Sequence, residues 1–117
     1  MRVDRWENVE RVKMNEAITR QLITGSQAML ARFVLRKGAI VPTHSHPSEQ
    51  FSMILEGALK FLMEGKEFVA RAGDIVEIPS NVPHYAEALE DTVALDVLAP
   101  LREDWLRGDD AYLRGGR

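Results

Sequence analysis

The sequence contains no cysteine. Disulfide frameworks, thiolate zinc sites, iron–sulfur clusters and cysteine nucleophiles are thereby excluded, so polar chemistry has to come from His, Asp, Glu, Arg and amide side chains. Nor is there an excess of positive charge: 15 Lys and Arg stand against 18 Asp and Glu, mixed along the chain, for a formal net charge of −3. The basic patch that DNA or RNA binding needs is missing, and no nucleic-acid partner is expected. Long apolar runs are also absent. Stretches such as Val93 to Leu95 and Val97 to Pro100 fall far short of the roughly 20 residues of a membrane span, so no membrane partner is expected. The opening residues, Met1-Arg-Val-Asp-Arg-Trp-Glu-Asn, alternate in charge and lack the apolar core of a secretory signal, which predicts a cytoplasmic protein.

What is present fits one globular domain over residues 1–117, 45% hydrophobic and 28% charged. A chain of this size buries enough surface for a single core without metal or disulfide staples. Any metal is therefore free to be functional. From Thr19 to Leu98 short apolar runs recur between Gly, Pro and Asn, the pattern of an all-β sandwich or barrel with its core at about residues 19–98. Strands are expected at Thr19 to Thr24, Ala28 to Leu35, Gln50 to Glu56, Ala58 to Met63, Glu67 to Ala70, Asp74 to Ile78, His84 to Leu89 and Val93 to Leu98. The strand from Met29 to Leu35 is apolar on both faces apart from Arg32, which makes it central or covered by a partner subunit. In the C-terminal tail, residues 100–117, the run Leu101 to Arg107 ends at Gly108 and predicts a short helical turn. The polar, Gly-ended stretch Asp109 to Arg117 predicts a loosely held end.

All three histidines fall in two short segments, His44-Ser-His46 and Asn81-Val-Pro-His84. Histidines at i and i+2 on an extended chain project from one face, so both imidazoles can reach one ion. Gln50 lies beyond the following turn, and His84 follows a second Pro-bounded turn. A tight barrel could bring both to the same interior point, giving three imidazoles and one amide oxygen. If the turn ends one residue earlier, Glu49 replaces Gln50 at that point. The simplest alternative is a polar loop in which Ser45, Pro47 and Ser48 merely cap a strand.

The spacing around these residues runs Gly38-x5-His44-x-His46-x3-Gln50-x6-Gly57, then Gly73-x5-Pro79-x-Asn81-x2-His84. It resembles the two motifs of the cupin superfamily. That resemblance implies a small jelly-roll barrel, a double-stranded β-helix, holding one divalent transition metal (Ni, Zn, Fe or Mn) on His44, His46, His84 and a residue at the place of Gln50. The family's usual ligand there is glutamate. Asn81 stands where glycine is usual, and Ala88 replaces an asparagine often found after the second-motif histidine. Four neutral ligands leave the full dication charge on the site, which favours an anionic substrate.

A second stretch, Leu95-Asp96-Val-Leu98-Ala-Pro100-Leu-Arg102-Glu-Asp-Trp105, places an aspartate inside an apolar strand. Burying it is costly unless it is paired or used; otherwise it points outward to a surface arginine. With the later Asp110-Ala-Tyr-Leu-Arg, this segment resembles the C-terminal end of the KdgF-type cupins of pectin and alginate degradation. The resemblance implies conversion of 4,5-unsaturated monouronates to linear keto sugars, with Asp96 moving a proton and Arg102 gripping a sugar-acid carboxylate. Leu98 stands where those proteins carry an aromatic residue. A metal-dependent dioxygenase and a non-catalytic sugar or small-acid binding module are the rival functions. The resemblance also implies a homodimer, with Val9 to Val12 adding to the partner's sheet. Met29, Phe33, Phe51, Met53, Phe61, Met63 and Tyr85 are the expected barrel lining.

Overall fold

Alternation of apolar and polar residues along short strands builds two antiparallel sheets whose apolar faces meet. The computed structural model describes residues 1–114. After a single helical turn at Trp6–Asn8 come β1 (Val12–Lys13), β2 (Ile18–Thr24), β3 (Met29–Leu35), β4 (Ile40–His44) and β5 (Glu49–Glu56). They are followed by β6 (Ala58–Met63), β7 (Lys66–Arg71), β8 (Ile75–Ile78), β9 (His84–Ala88), β10 (Thr92–Ala99), α1 (Glu103–Leu106) and α2 (Ala111–Arg114). One sheet has the order β1-β2-β3-β10-β5-β8 and the other β4-β9-β6-β7. Among the described residues no helix is long and apolar enough to cross a membrane.

Local chemistry sets the connections. Met63 pairs with Lys66 across Glu64-Gly65, and both turn residues have positive φ, as a two-residue I′ hairpin requires. Gly57 joins β5 to β6 at φ +88°, and a Cβ there would lie 2.3 Å from the Asp91 carbonyl oxygen and 2.5 Å from Thr92 Oγ1. Strained φ costs about 1–2 kcal/mol and the clash with backbone about 1–3 kcal/mol more. Gly57→Ala is accordingly expected to lower the melting temperature by roughly 10 °C, read by thermal denaturation; an unchanged midpoint would remove the close-approach argument.

The expected all-β jelly roll is what the chain forms, with corrections at β4 and in the barrel lining. β4 lies where no strand was expected, because Pro42 interrupts the pattern. The strand is tolerated at the sheet edge, where it pairs only with β9 and its register shifts between Val41 and His44. The N-terminal residues Val12 and Lys13 pair with Arg20 and Thr19 of the same chain and form the edge strand of the larger sheet. Phe51, Met53 and Tyr85 do not line the barrel: Gln50, Ser52, Ile54 and His84 take the inward parity, which turns those three outward.

Candidate metal centre

Three strand ends deliver the histidines to one place. His44 ends β4, His84 begins β9 directly opposite it in register, and His46 lies in the loop leading to β5. Their available nitrogens lie within 4.8 Å of one another, with ring centroids 4.3 Å apart for His44 and His84 and 5.0 Å for His46 and His84. Each ring is oriented by the same device: Nδ1 lies 2.9 Å from a nearby carbonyl oxygen, of Pro42 for His44, Ser48 for His46 and Val82 for His84. Since a carbonyl only accepts, Nδ1 carries the proton, and Nε2 is left with its lone pair.

Burial makes these rings neutral. It pushes His44 down to about 3, helped by neighbouring His84, and His46 down to about 4, helped by the Arg102 guanidinium. Burial also lowers His84, against a partial offset from the Val82 carbonyl. Among the described residues the Nε2 atoms of His46 and His84 are buried without a hydrogen-bond partner. A buried, unpaired acceptor costs on the order of 1–3 kcal/mol. Neutral imidazoles, each with Nδ1 tied to a carbonyl and two of them with a buried, unpaired Nε2, are the donor set a divalent transition metal takes.

The fourth position is set by β5. Gln50 is buried and Glu49 is exposed, because β5 begins at Glu49 and alternates from there. Gln50 Nε2 donates to Ser52 Oγ at 2.9 Å and to Asp96 Oδ2 at 3.1 Å. The amide nitrogen is thus committed, and Oε1 remains as the free acceptor of a side chain that lines the cavity with His44 and His84. An oxygen donor therefore stands beside the three imidazoles. Asp96 pairs with Ser52 of β5 and faces inward, and among the described residues its Oδ1 is unpartnered and it makes no bridge to a surface arginine. Burial raises its carboxyl to about 7, with Ser52 opposing the shift.

Residues 31–99 match the cupin domain family. The chain is a cupin. No curated protein matches the sequence. Solved structures similar to this cupin include an RmlC-like cupin from Shewanella frigidimarina, 26% identical, with 90% of this chain and 96% of that one covered at a TM-score of 0.84. KdgF from Halomonas sp. is 24% identical, with 85% and 94% covered at 0.79. An oxalate decarboxylase from Bacillus subtilis with Mn(II) centres is 20% identical, with 84% of this chain and 29% of that one covered at 0.74. One of these structural relatives is thus an enzyme with Mn(II) centres.

Arg102 is buried, but one edge of its fork is already engaged. Nε and Nη2 donate to the two Asp104 oxygens at 2.9 and 2.6 Å, Nη2 also donates to Tyr112 Oη at 3.1 Å, and Nη1 alone has no partner among the described residues. Its guanidinium carbon sits 4.2 Å from the Trp105 ring centroid.

The cupin's C-terminal segment is not loosely held as far as residue 114; residues 115–117 lie outside the described residues. Asp110 is fully buried, Leu113 packs in the core, and Asn15 Nδ2 donates to the Leu113 carbonyl. Tyr112 and Trp105 line the same cavity as His44, Gln50, His84 and Asp96. The Tyr112 ring lies 4.7 Å from that of His44, and its hydroxyl also accepts from Trp105 Nε1 at 3.0 Å. Sequence reasoning missed Tyr112 as a wall of the site. The available signal was its place in Asp110-Ala-Tyr-Leu-Arg, where Tyr and Leu beside an ion pair at i and i+4 mark a docked helical turn.

Proposed function

We propose that this cupin is a metal-dependent enzyme that opens the ring of 4,5-unsaturated monouronates to linear keto sugars. The observation that carries the reading is Asp96, a buried carboxyl with an unpartnered Oδ1, in the cavity lined by His44, His84 and Gln50. A divalent transition metal on His44, His46, His84 and Gln50 supplies Lewis-acid polarisation of substrate oxygens when bound.

The chain's own groups account for the rest of the reaction. A proton leaves the anomeric hydroxyl, the ring C–O bond opens to an aldehyde with its electrons on oxygen, and the freed enolate takes a proton at carbon and becomes a ketone. No atom is gained or lost, so one carboxyl that accepts and returns a proton suffices, and Asp96 is the buried carboxyl in reach. Arg102, buried behind Trp105 and Tyr112 and not itself lining the cavity, contributes a fixed positive charge that favours an anionic sugar. Tyr112 supplies the aromatic surface that Leu98, fully buried in the core, does not. The resemblance of the C-terminal segment to KdgF-type cupins supports the substrate class.

The test is incubation of metal-loaded protein with lyase-generated unsaturated monouronate, following loss of alkene absorbance. Acceleration over the spontaneous conversion is expected, with Asp96→Asn lowering kcat by about 10²–10⁴. Saturable binding without acceleration would replace the enzyme by a binding module. Oxygen uptake with a strict iron requirement would replace it by a dioxygenase.

A further inference from the structure

The inward face of β5 carries Gln50, Ser52 and Ile54, and Ser52 is a hydroxyl in a cavity whose walls include Phe33, Leu59, Phe61 and Ala94. Ser52 is fully enclosed, at 2% exposure. A hydroxyl buried there is costly unless it is hydrogen-bonded. Its partner is the amide of Gln50, two residues back on the same face, whose Nε2 donates to Ser52 Oγ at 2.9 Å. Directly across the ladder from Ser52 stands Asp96, whose Oδ2 accepts from the same Nε2 at 3.1 Å. The amide nitrogen thus has two hydrogens and two buried acceptors.

The two ends of an amide have nearly the same shape, so its neighbours decide which way it faces. Turned over, Gln50 would set its oxygen against Asp96 Oδ2, acceptor against acceptor, whether the carboxyl is ionised or carries its proton on Oδ1. It would also present N–H to the imidazole cluster, where among the described residues Nε2 of His46 and of His84 are buried acceptors without partners. Bonds to those nitrogens would reward the flip and shut the site, since an N–H has no lone pair for a metal. The flipped amide is therefore a competing state, and the groups that hold Nε2 back decide between the two. Burial raises the Asp96 carboxyl and Ser52 opposes that rise, as a hydroxyl does that turns its O–H to the carboxyl and its lone pairs to Gln50. We propose that Ser52 is a positioning residue of the metal centre: with Asp96 it holds the Gln50 amide so that Oε1, not Nε2, faces the imidazoles. This role rests on the metal-binding reading of His44, His46, His84 and Gln50, and is independent of which substrate the site takes.

The test is titration of Mn(II), an ion that favours oxygen ligands, into the metal-free full chain, following loss of the free-ion EPR signal. Ser52→Val removes the hydroxyl and is expected to weaken Mn(II) binding about 10–100-fold. Ser52→Ala, which cannot overfill the cavity, is expected to do the same. Ser52→Thr has the shape of the valine variant with the hydroxyl kept, and is expected to stay within about 3-fold of wild type. Gln50→Glu has an acceptor at both ends and needs no orienting, so in that background Ser52→Val is expected to change affinity by less than about 3-fold. Equal losses in the two backgrounds, or with Thr and Val alike, make Ser52 a packing residue and overturn the proposal. So does wild-type affinity in Ser52→Val and Ser52→Ala. A wild type that takes up no Mn(II) overturns the metal centre and this role with it. Mn(II) binding that shows the coupling, without action on unsaturated uronates, supports the role of Ser52 and removes only the proposed reaction.

Discussion

His84→Ala is expected to abolish stoichiometric metal binding and to leave the barrel folded. Loss of an outer hydrogen-bond partner of a ligand typically costs 10–100-fold in metal affinity. Removing one of three imidazoles outright costs more, on the order of 10³-fold. The readouts are metal content after gel filtration and the metal-dependent rise in melting temperature. A ligand present at about 1,000 times its Kd stabilises by about 4 kcal/mol, which in a chain of this size is a rise of 10 °C or more. Wild type shows that rise, and His84→Ala does not. Without metal the variant keeps its fold, because the deleted Nε2 is a buried acceptor with no partner and its loss removes a penalty. If the variant retains one tightly bound ion per chain, the imidazole cluster is not the metal centre.

How much of this site is legible in the sequence depends on the range of the contacts that build it. His44 and His46 are two residues apart on extended chain, so their common face follows from strand geometry alone. The approach of His84 follows from motif spacing, and the structure pairs it directly with His44. The choice between Glu49 and Gln50 is a question of register, in which a single-residue slip exchanges inside for outside. Only the ladder decides it: Gln50 lies opposite Leu98, which is fully buried, and Glu49 opposite Ala99, which is exposed. Phe51 and Met53 were expected inside because they are large and apolar, yet neither can share a face with Gln50. Their outward position follows from the inward parity of Gln50, Ser52 and Ile54. Arg102 was expected to present its whole fork, but Asp104, two residues on, occupies one edge.

The C-terminal segment was illegible for a related reason: its anchor lies 90 positions away in the chain, and Asp110→Ala is the variant expected to expose it. Arg20 projects inward from β2 and is buried, with Nη2 3.1 Å from Asp110 Oδ2. Arg114 Nε donates to Asp110 Oδ1 at 2.7 Å from the far side. Among the described residues Arg20 Nε and Nη1 have no other partner, so Asp110 is its sole counter-charge. Removing one member of a buried ion pair costs about 3–5 kcal/mol, because the remaining charge stays buried and uncompensated. For this chain that is a fall in melting temperature of about 10–20 °C. Replacing both groups, as in Arg20→Met with Asp110→Leu, is expected to recover most of the loss, since an apolar pair has nothing to desolvate. The pH dependence has a definite sign. Burial alone would raise Asp110, but Arg114 and Arg20 hold it below the ordinary aspartate value. Its stabilisation is therefore complete above about pH 4 and is lost as pH falls through the depressed folded value. The stability gap between wild type and Asp110→Ala should stay constant from pH 7 to 5 and close on further acidification. The effect reaches the metal site through Trp105, held between Arg20 at 4.9 Å and Arg102 at 4.2 Å, and through Tyr112 against His44. Weakened substrate binding with metal affinity intact is the accompanying result. A melting temperature within about 2 °C of wild type at pH 7 would show that α2 docks without this ion pair.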